Sequence, residues 1–443
     1  MRVAFLCDYF VPQAPGGAEW SAYALIQALA ARGVSIKIIT PALSASEDSA
    51  RTASIDAELS EKGISIVRFP FRRKLAAPMT AFPTWVLSNP WVVKKFAKIA
   101  VHELQSFSPD VISCQGYDAF LPGFLASRQL GVPGIAHLRD YRALCPVGAC
   151  LLNENTVQTG CDRIRYKKCL QEFLDEYKIS LSKWKSLKFW TRRELEWRHN
   201  IKVKKALISM EGAVAVSQCT LDIFKRSGVL PPLAEAIYNL YKPLPDPIIN
   251  LASIRFKYGL EQSRVILFVG RFSLGKGAAV ALEAMEYLTK RIPGSKLVVA
   301  GRREWESIPA DLAGHVEFAG QVDQSTLAGF YKIADVLVLP SRWPEPFSRV
   351  MLEAMSFGVP IIATNTGGNI EGVEHEVTGL LIDRNDPIAL GKALVRVLNY
   401  SQTDLLAMGE NAKRLLAKKF DPEIQLDRLQ NFFSKVAIKG LKH

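Results

Sequence analysis

The 443-residue chain has no apolar run long enough to cross a bilayer. Residues 75–93 carry no charge, but Pro78, Pro83 and Pro90 break them. No charged-then-apolar leader precedes residues 2–7, which already read as a strand, so a cytoplasmic rather than a secreted protein is expected. A G-x-G-x-x-G turn is missing after that strand, which argues against dinucleotide binding. Cysteine is scarce: seven residues, an odd number in a long chain, fit a reducing compartment rather than a disulfide framework. Cys145, Cys150, Cys161 and Cys169 share one loop at gaps wider than a C-x-x-C knuckle, so free thiols are expected there rather than zinc. No cluster of acids suggests another metal. Acids are outnumbered throughout, 43 against 56 lysines and arginines, giving a net charge of +13. That surplus calls for an acidic partner, a nucleotide or an anionic membrane surface, or else a nucleic acid. With no nucleic-acid motif in the chain, nucleic acid is not the expected partner.

What is present is an alternation of short apolar strands and amphipathic helices. Continuous apolar runs at 2–7, 35–40, 64–69, 111–115, 134–138, 213–217 and 236–239 have the character of parallel strands buried on both faces. Helical stretches at 18–32, 91–105 and 121–130 separate them. The pattern restarts at 264–270, 296–300, 316–320, 336–340 and 360–364. The fold class is therefore α/β with two doubly wound, Rossmann-like domains, 1–240 and 263–415. A proline-rich linker, 241–262, joins them, and helices are expected at 387–418 and 422–436.

The stretch SRWPEPFSRVMLEAMSFGVPIIATNTGGNIEGV, 341–373, is the most informative. Pro344 and Pro346 hold Glu345 in extended backbone just before a helix expected at 347–357, and Glu353 falls inside that helix. The amides of Phe347, Ser348 and Arg349 would face an anion at the helix start. Upstream, GRFSLGKG puts Arg271 at a strand's carboxyl edge and Lys276 just before the next helix, two cations suited to a diphosphate. In the first half, PGGAEW places Gly16 and Gly17 in a loop opening a helix, and GIAHLRDY places His137, Arg139 and Asp140 at a strand end. A period of two keeps His137 and Arg139 on one side of that strand, so either could face a ligand. Two further segments, 70–100 and 145–205, interleave cations with Phe82, Trp85, Trp91 and a basic aromatic helix, the composition of an interfacial membrane segment.

The block EPFSRVMLEAMSFGVPIIATNTGGNIEGV…TGLL resembles the C-terminal signature of GT-B-fold retaining glycosyltransferases of family 4 (glycosyl transferases group 1). Ser348 stands where that signature has glycine. GRFSLGKG resembles the same family's G-R-x-x-x-x-K-G, PGGAEW its G-G-x-E acceptor loop, and HLRDY its strand-end histidine motif. The resemblance is strong over 264–383, fair over 1–40 and 210–240, and weak over 70–110 and 145–205. It implies GT-B architecture, two domains facing across a cleft, with residues 416–443 crossing back to the first domain. It implies a nucleotide-sugar donor whose pyrophosphate meets Arg271 and Lys276, with Glu345 on the sugar hydroxyls and Glu353 on the ribose. It further implies no cofactor and no metal, His137 and Asp140 beside the donor sugar, and an acceptor side at Gly16 and Gly17; the two basic-aromatic segments lead us to expect a glycan or lipid-linked acceptor there. A GT-B epimerase acting on a nucleotide sugar is the alternative, with a basic nucleic-acid-binding protein more remote.

Overall fold

The computed structural model describes residues 1–13, 16–43, 49–71, 89–146, 148, 161–176, 180–248, 250–304 and 308–440. Pro78, Phe82, Pro83, Trp85 and Cys150, singled out in the sequence, lie outside these residues. The chain divides into two compact units. Of the described residues, one unit holds those of 1–240 with 423–440; the other holds those of 241–422.

The first unit is built on seven strands: β1 (Arg2–Cys7), β2 (Ser35–Leu43), β3 (Ser65–Phe71), β4 (Val111–Gln115), β5 (Gly134–Leu138), β6 (Gly212–Ala215) and β7 (Leu233–Ala236). All pairs are parallel, in the order β3-β2-β1-β4-β5-β6-β7. β1 and β4 are buried almost end to end, which is why neither shows the alternation of a strand with one wet face. The helix Pro422–Gly440 belongs to this unit: Leu426, Leu429, Phe432, Phe433 and Val436 share a core with Val3, Phe5, Val111 and Val214.

The second unit has six strands: β8 (Arg264–Val269), β9 (Ser295–Ala300), β10 (Val316–Gly320), β11 (Val336–Leu339), β12 (Ile361–Thr364) and β13 (Gly379–Ile382). They too are all parallel, in the order β10-β9-β8-β11-β12-β13. Each sheet reverses its winding once, between β1 and β4 in the first unit and between β8 and β11 in the second. Outside the carboxyl ends of such a strand pair, the following loops diverge and leave a crevice.

Several boundaries differ from the sequence expectation. The strand expected at 236–239 is Leu233–Ala236, because its ladder to β6 ends there, with one more bond from Ile237 N–H to the Ala215 carbonyl (2.8 Å). The linker expected at 241–262 contains the helix Leu251–Lys257, capped by the Asn250 side chain. The helix expected at 387–418 is two, Pro387–Leu398 and Gln402–Lys419, since Ser401 Oγ caps the second through Asp404 N–H (3.1 Å). Among the described residues no helix is long and apolar enough to cross a membrane.

Candidate active site

The crevice of the second unit gathers residues from the loops after β8 and β11. β8 runs into a short 3-10 turn, Leu274–Lys276, ended by Gly277 in the left-handed region (φ +83°). The turn is pinned by Arg342 N–H on the Gly275 carbonyl (3.0 Å), and Trp343 lies over Gly275, where a Cβ would meet its ring at 2.4 Å. Lys276 Nζ thereby reaches Glu345 Oε1 at 2.6 Å. The same oxygen accepts from Ser341 Oγ (2.8 Å) and Trp343 Nε1 (2.8 Å). Glu345 is 7% exposed. Burial alone would raise its carboxyl, but Lys276, Ser341 and Trp343 together hold it below the ordinary range. The result is a fixed carboxylate with three donors on one oxygen, leaving Oε2 outside these three bonds.

Gly367 sets this residue's backbone. At φ +62° it packs so closely that a Cβ would lie 2.3 Å from the Glu345 carbonyl oxygen and 2.6 Å from its nitrogen. Gly368 N–H donates to that same carbonyl (2.6 Å). We expect Gly367→Ala to destabilise the unit by about 2 kcal/mol or more, the sum of a left-handed L-residue and an unrelieved overlap. A thermal melt beside the parent protein checks this; an unchanged midpoint would show that the loop yields freely.

The helix expected at 347–357 is Arg349–Phe357, with Ser348 as its N-cap. The amides without a partner inside the helix are therefore those of Ser348, Arg349, Val350 and Met351; Phe347 lies before its start. Phe347 is instead buried, its ring 5.2 Å from Phe420. The Ser348 side chain makes no capping bond. Glu353 lies on the buried side of this helix, its Oε2 accepting from Tyr331 Oη (2.9 Å) and its Oε1 3.8 Å from Arg349. Burial pushes its carboxyl up, against the pull of Arg349 and Tyr331. Arg271 follows β8 with its side chain 43% exposed, 3.8 Å from Glu304.

In the first unit the crevice lies beyond β1, β4 and β5. Arg142 bridges three carboxylates there: Asp140 (2.8 Å), Asp118 (3.3 Å) and Asp8 (3.4 Å). Asp8 also accepts from Tyr9 N–H (2.9 Å) and Asp118 N–H (3.2 Å). Its burial, set against Arg142 and reinforced by Asp118, pushes it up to about 8. Asp140 clamps Arg142 from both its main-chain N–H and Nε (2.9 and 2.8 Å). Arg139 reaches Gln115 (3.0 Å) and Asn239 (2.9 Å).

His137 was one of two candidates on this strand. It is 2% exposed, edge-on to Phe433 at 6.3 Å, and burial with the charge of Arg139 holds it well below the ordinary imidazole range. His137 is enclosed, with its buried Nε2 unpartnered among the described residues, and Arg139 is the part-exposed one of the two. Gly16 and Gly17 open the helix Gly17–Ala31, but Glu19 Oε2 already accepts from Gly16 N–H (3.0 Å). Sequence reasoning missed Ser341, Trp343 and Tyr331, which position the two glutamates, and the Asp8–Asp118–Arg142 bridge. Asp8 did carry a signal: a carboxylate directly after a buried strand.

Residues 252–415 match the family model for glycosyl transferases group 1, and residues 16–165 match that of the glycosyl transferase 4-like domain. The putative glycosyltransferase YtcC of Bacillus subtilis is 35% identical over 196 residues, 41% of this chain and 48% of that protein. A phosphatidyl-myo-inositol mannosyltransferase of Mycolicibacterium smegmatis is 28% identical over 186 residues, with shares of 41% and 48%. The alignments thus span about half the length of these curated relatives. Among solved structures, Anabaena HepE in complex with UDP-glucose superposes with a TM-score of 0.67 at 18% identity, covering 98% of this chain and 100% of that one. WaaG, a glycosyltransferase involved in lipopolysaccharide biosynthesis, gives 0.63 at 17% identity over 97% and 99%. At these identities the likeness is one of fold.

Proposed function

The chain belongs to the glycosyl transferases group 1 family and has the two parallel-sheet domains of the GT-B fold, and from that premise we propose that it moves a sugar from a nucleotide-diphosphate sugar to a hydroxyl, with retention and without a metal ion. The observation that carries this reading is the Lys276–Glu345 pair at the switch point of the second sheet, beside an uncapped helix start. In this reading Lys276, Arg271 and the amides of Ser348, Arg349, Val350 and Met351 meet the diphosphate. Positive charge placed where the leaving group becomes negative is the largest catalytic contribution available to such a site. Glu345 Oε2 faces the sugar hydroxyls, and Glu353 the ribose.

The anomeric carbon–oxygen bond to the phosphate breaks as the acceptor oxygen bonds to the same face. The departing phosphate oxygen takes the acceptor's proton, so no protein base is required. A covalent route would need a carboxylate beneath the sugar. In this reading Glu345 Oε2 takes the sugar hydroxyls instead. The acceptor is a glycan or a lipid-linked glycan. The mannosyltransferase relative is named for a phosphatidyl-myo-inositol and WaaG for lipopolysaccharide synthesis, which supports the lipid-linked class.

A thermal-shift screen against UDP, GDP, ADP, dTDP and their common sugars tests the donor site. One nucleotide is expected to raise the melting temperature, and the rise should vanish in Arg271→Ala. Stabilisation that persists unchanged in that variant would remove Arg271 from the diphosphate site.

A further inference from the structure

The helix Lys183–Ile208 carries nine lysines and arginines against two glutamates. One face is buried, through Arg193, Glu196, Trp197, Asn200, Val203 and Leu207. The other presents Trp184, Leu187, Lys188, Thr191, Leu195, Arg198, Lys202 and Lys205 at intervals of three and four, which is a single stripe along the helix. Within it Trp184 is 84% and Leu187 62% exposed. Only Glu194 offsets any of the stripe's charge, through Arg198. Glu196 is buried against Arg193 (2.7 Å), and Glu194 is held by Arg163 (2.9 Å) and Arg198 (3.3 Å).

The neighbouring helix Arg163–Glu176 adds Ile164, 79% exposed. Between the two helices runs a groove of about 570 Å³ lined by Arg163, Lys167, Trp190, Leu195 and Arg198, whose three cations outnumber the one carboxylate there, Glu194. A solvated basic face would show cations alone. Here an indole and aliphatic tips stand in water among them, the combination that suits a charged interface over an apolar interior.

We infer that this stripe and groove dock onto an anionic lipid bilayer. Trp184 and Leu187 enter the boundary between headgroups and acyl chains, Lys183, Lys185 and Lys188 lie against the phosphates, and the groove receives one phosphate headgroup. A nucleic acid would satisfy the cations but leave Leu187 and Ile164 in water. The inference goes beyond the transfer reading and stands without it, since it uses none of the donor-site residues.

Co-sedimentation of the full chain with phosphatidylglycerol–phosphatidylcholine vesicles, and with phosphatidylcholine alone, tests it at low and high salt. Binding is expected only with the anionic vesicles and should weaken with salt. Each lysine near such a surface is worth about fivefold in partitioning, so Lys183→Glu/Lys185→Glu/Lys188→Glu should lose about 100-fold or more. Trp184→Ser/Leu187→Ser should lose about tenfold or more through its apolar contribution. All five positions are exposed, so both variants should keep the parent's circular dichroism and any nucleotide-induced thermal shift. That second readout separates failure of docking from failure of the donor site. No binding to anionic vesicles, or binding that neither variant changes, overturns the inference. So does a dimer in size-exclusion chromatography that Trp184→Ser/Leu187→Ser dissolves, which would assign the stripe to a second copy of the chain.

Discussion

Lys276→Ala is expected to lower turnover about 10²–10³-fold, the usual consequence of removing one preorganised donor from a site of developing negative charge. Two effects combine. The diphosphate loses a cation, and Glu345 loses the closest of its three donors (2.6 Å). The second effect also has a pH signature. Glu345 titrates below its ordinary value in the folded protein, so its contribution to stability is present above the unfolded carboxylate range and is lost as pH falls through the folded value. Lys276→Ala should shrink that acid-side loss, because the lysine is the main group pulling Glu345 down. Steady-state kinetics and urea titrations from neutral to acidic pH check both parts. A double variant, Lys276→Ala with Glu345→Gln, should cost less than the two single changes added together, since the two side chains are in contact. Strict additivity would show that they act independently.

Arg142→Leu should remove about 3–5 kcal/mol of stability, the range for deleting one partner of a buried ionic cluster. Asp8 and Asp118 are 4% exposed each and would lose the guanidinium they share. Asp8 gives this cost a direction in pH. Its folded value is raised to about 8, so between roughly pH 4 and 8 the folded chain binds a proton that the unfolded chain has released. Its contribution is therefore complete below the unfolded value and is lost as pH rises through the folded one. Arg142 opposes the rise, so the arginine variant should suffer more at high pH than at low. Asp8→Asn should flatten the decline across that window. Urea unfolding of the parent and both variants at several pH values would show this, and a cost for Arg142→Leu independent of pH would mean that Asp8 does not titrate there.

The donor half was legible because its chemistry is local. Arg271 and Lys276 follow one strand within a few residues, and Glu345 and Glu353 flank one helix start, so spacing alone puts them at a sheet edge. The helix start was read two residues early. The sequence shows that Pro346 stops the preceding backbone, but not that Phe347 is drawn down against Phe420 before the helix begins. His137 was harder still. Its period along β5 is visible in the sequence, whereas the ring that encloses it, Phe433, comes from the last helix of the chain.

By itself the sequence determined two parallel α/β domains, the strand edges on which the charged residues stand, and the extended backbone of Glu345 between two prolines. Each depends on a period or a neighbour a few positions away. Only the tertiary structure decided which charges meet. β8 pairs with β11, and that places Lys276 on Glu345, 69 positions along the chain. β1 pairs with β4, and β4 with β5, and that brings Asp8, Asp118 and Arg142 together. Strand order is settled by how whole sheets bury their two faces, a sum over the entire domain, and no local stretch of residues encodes it.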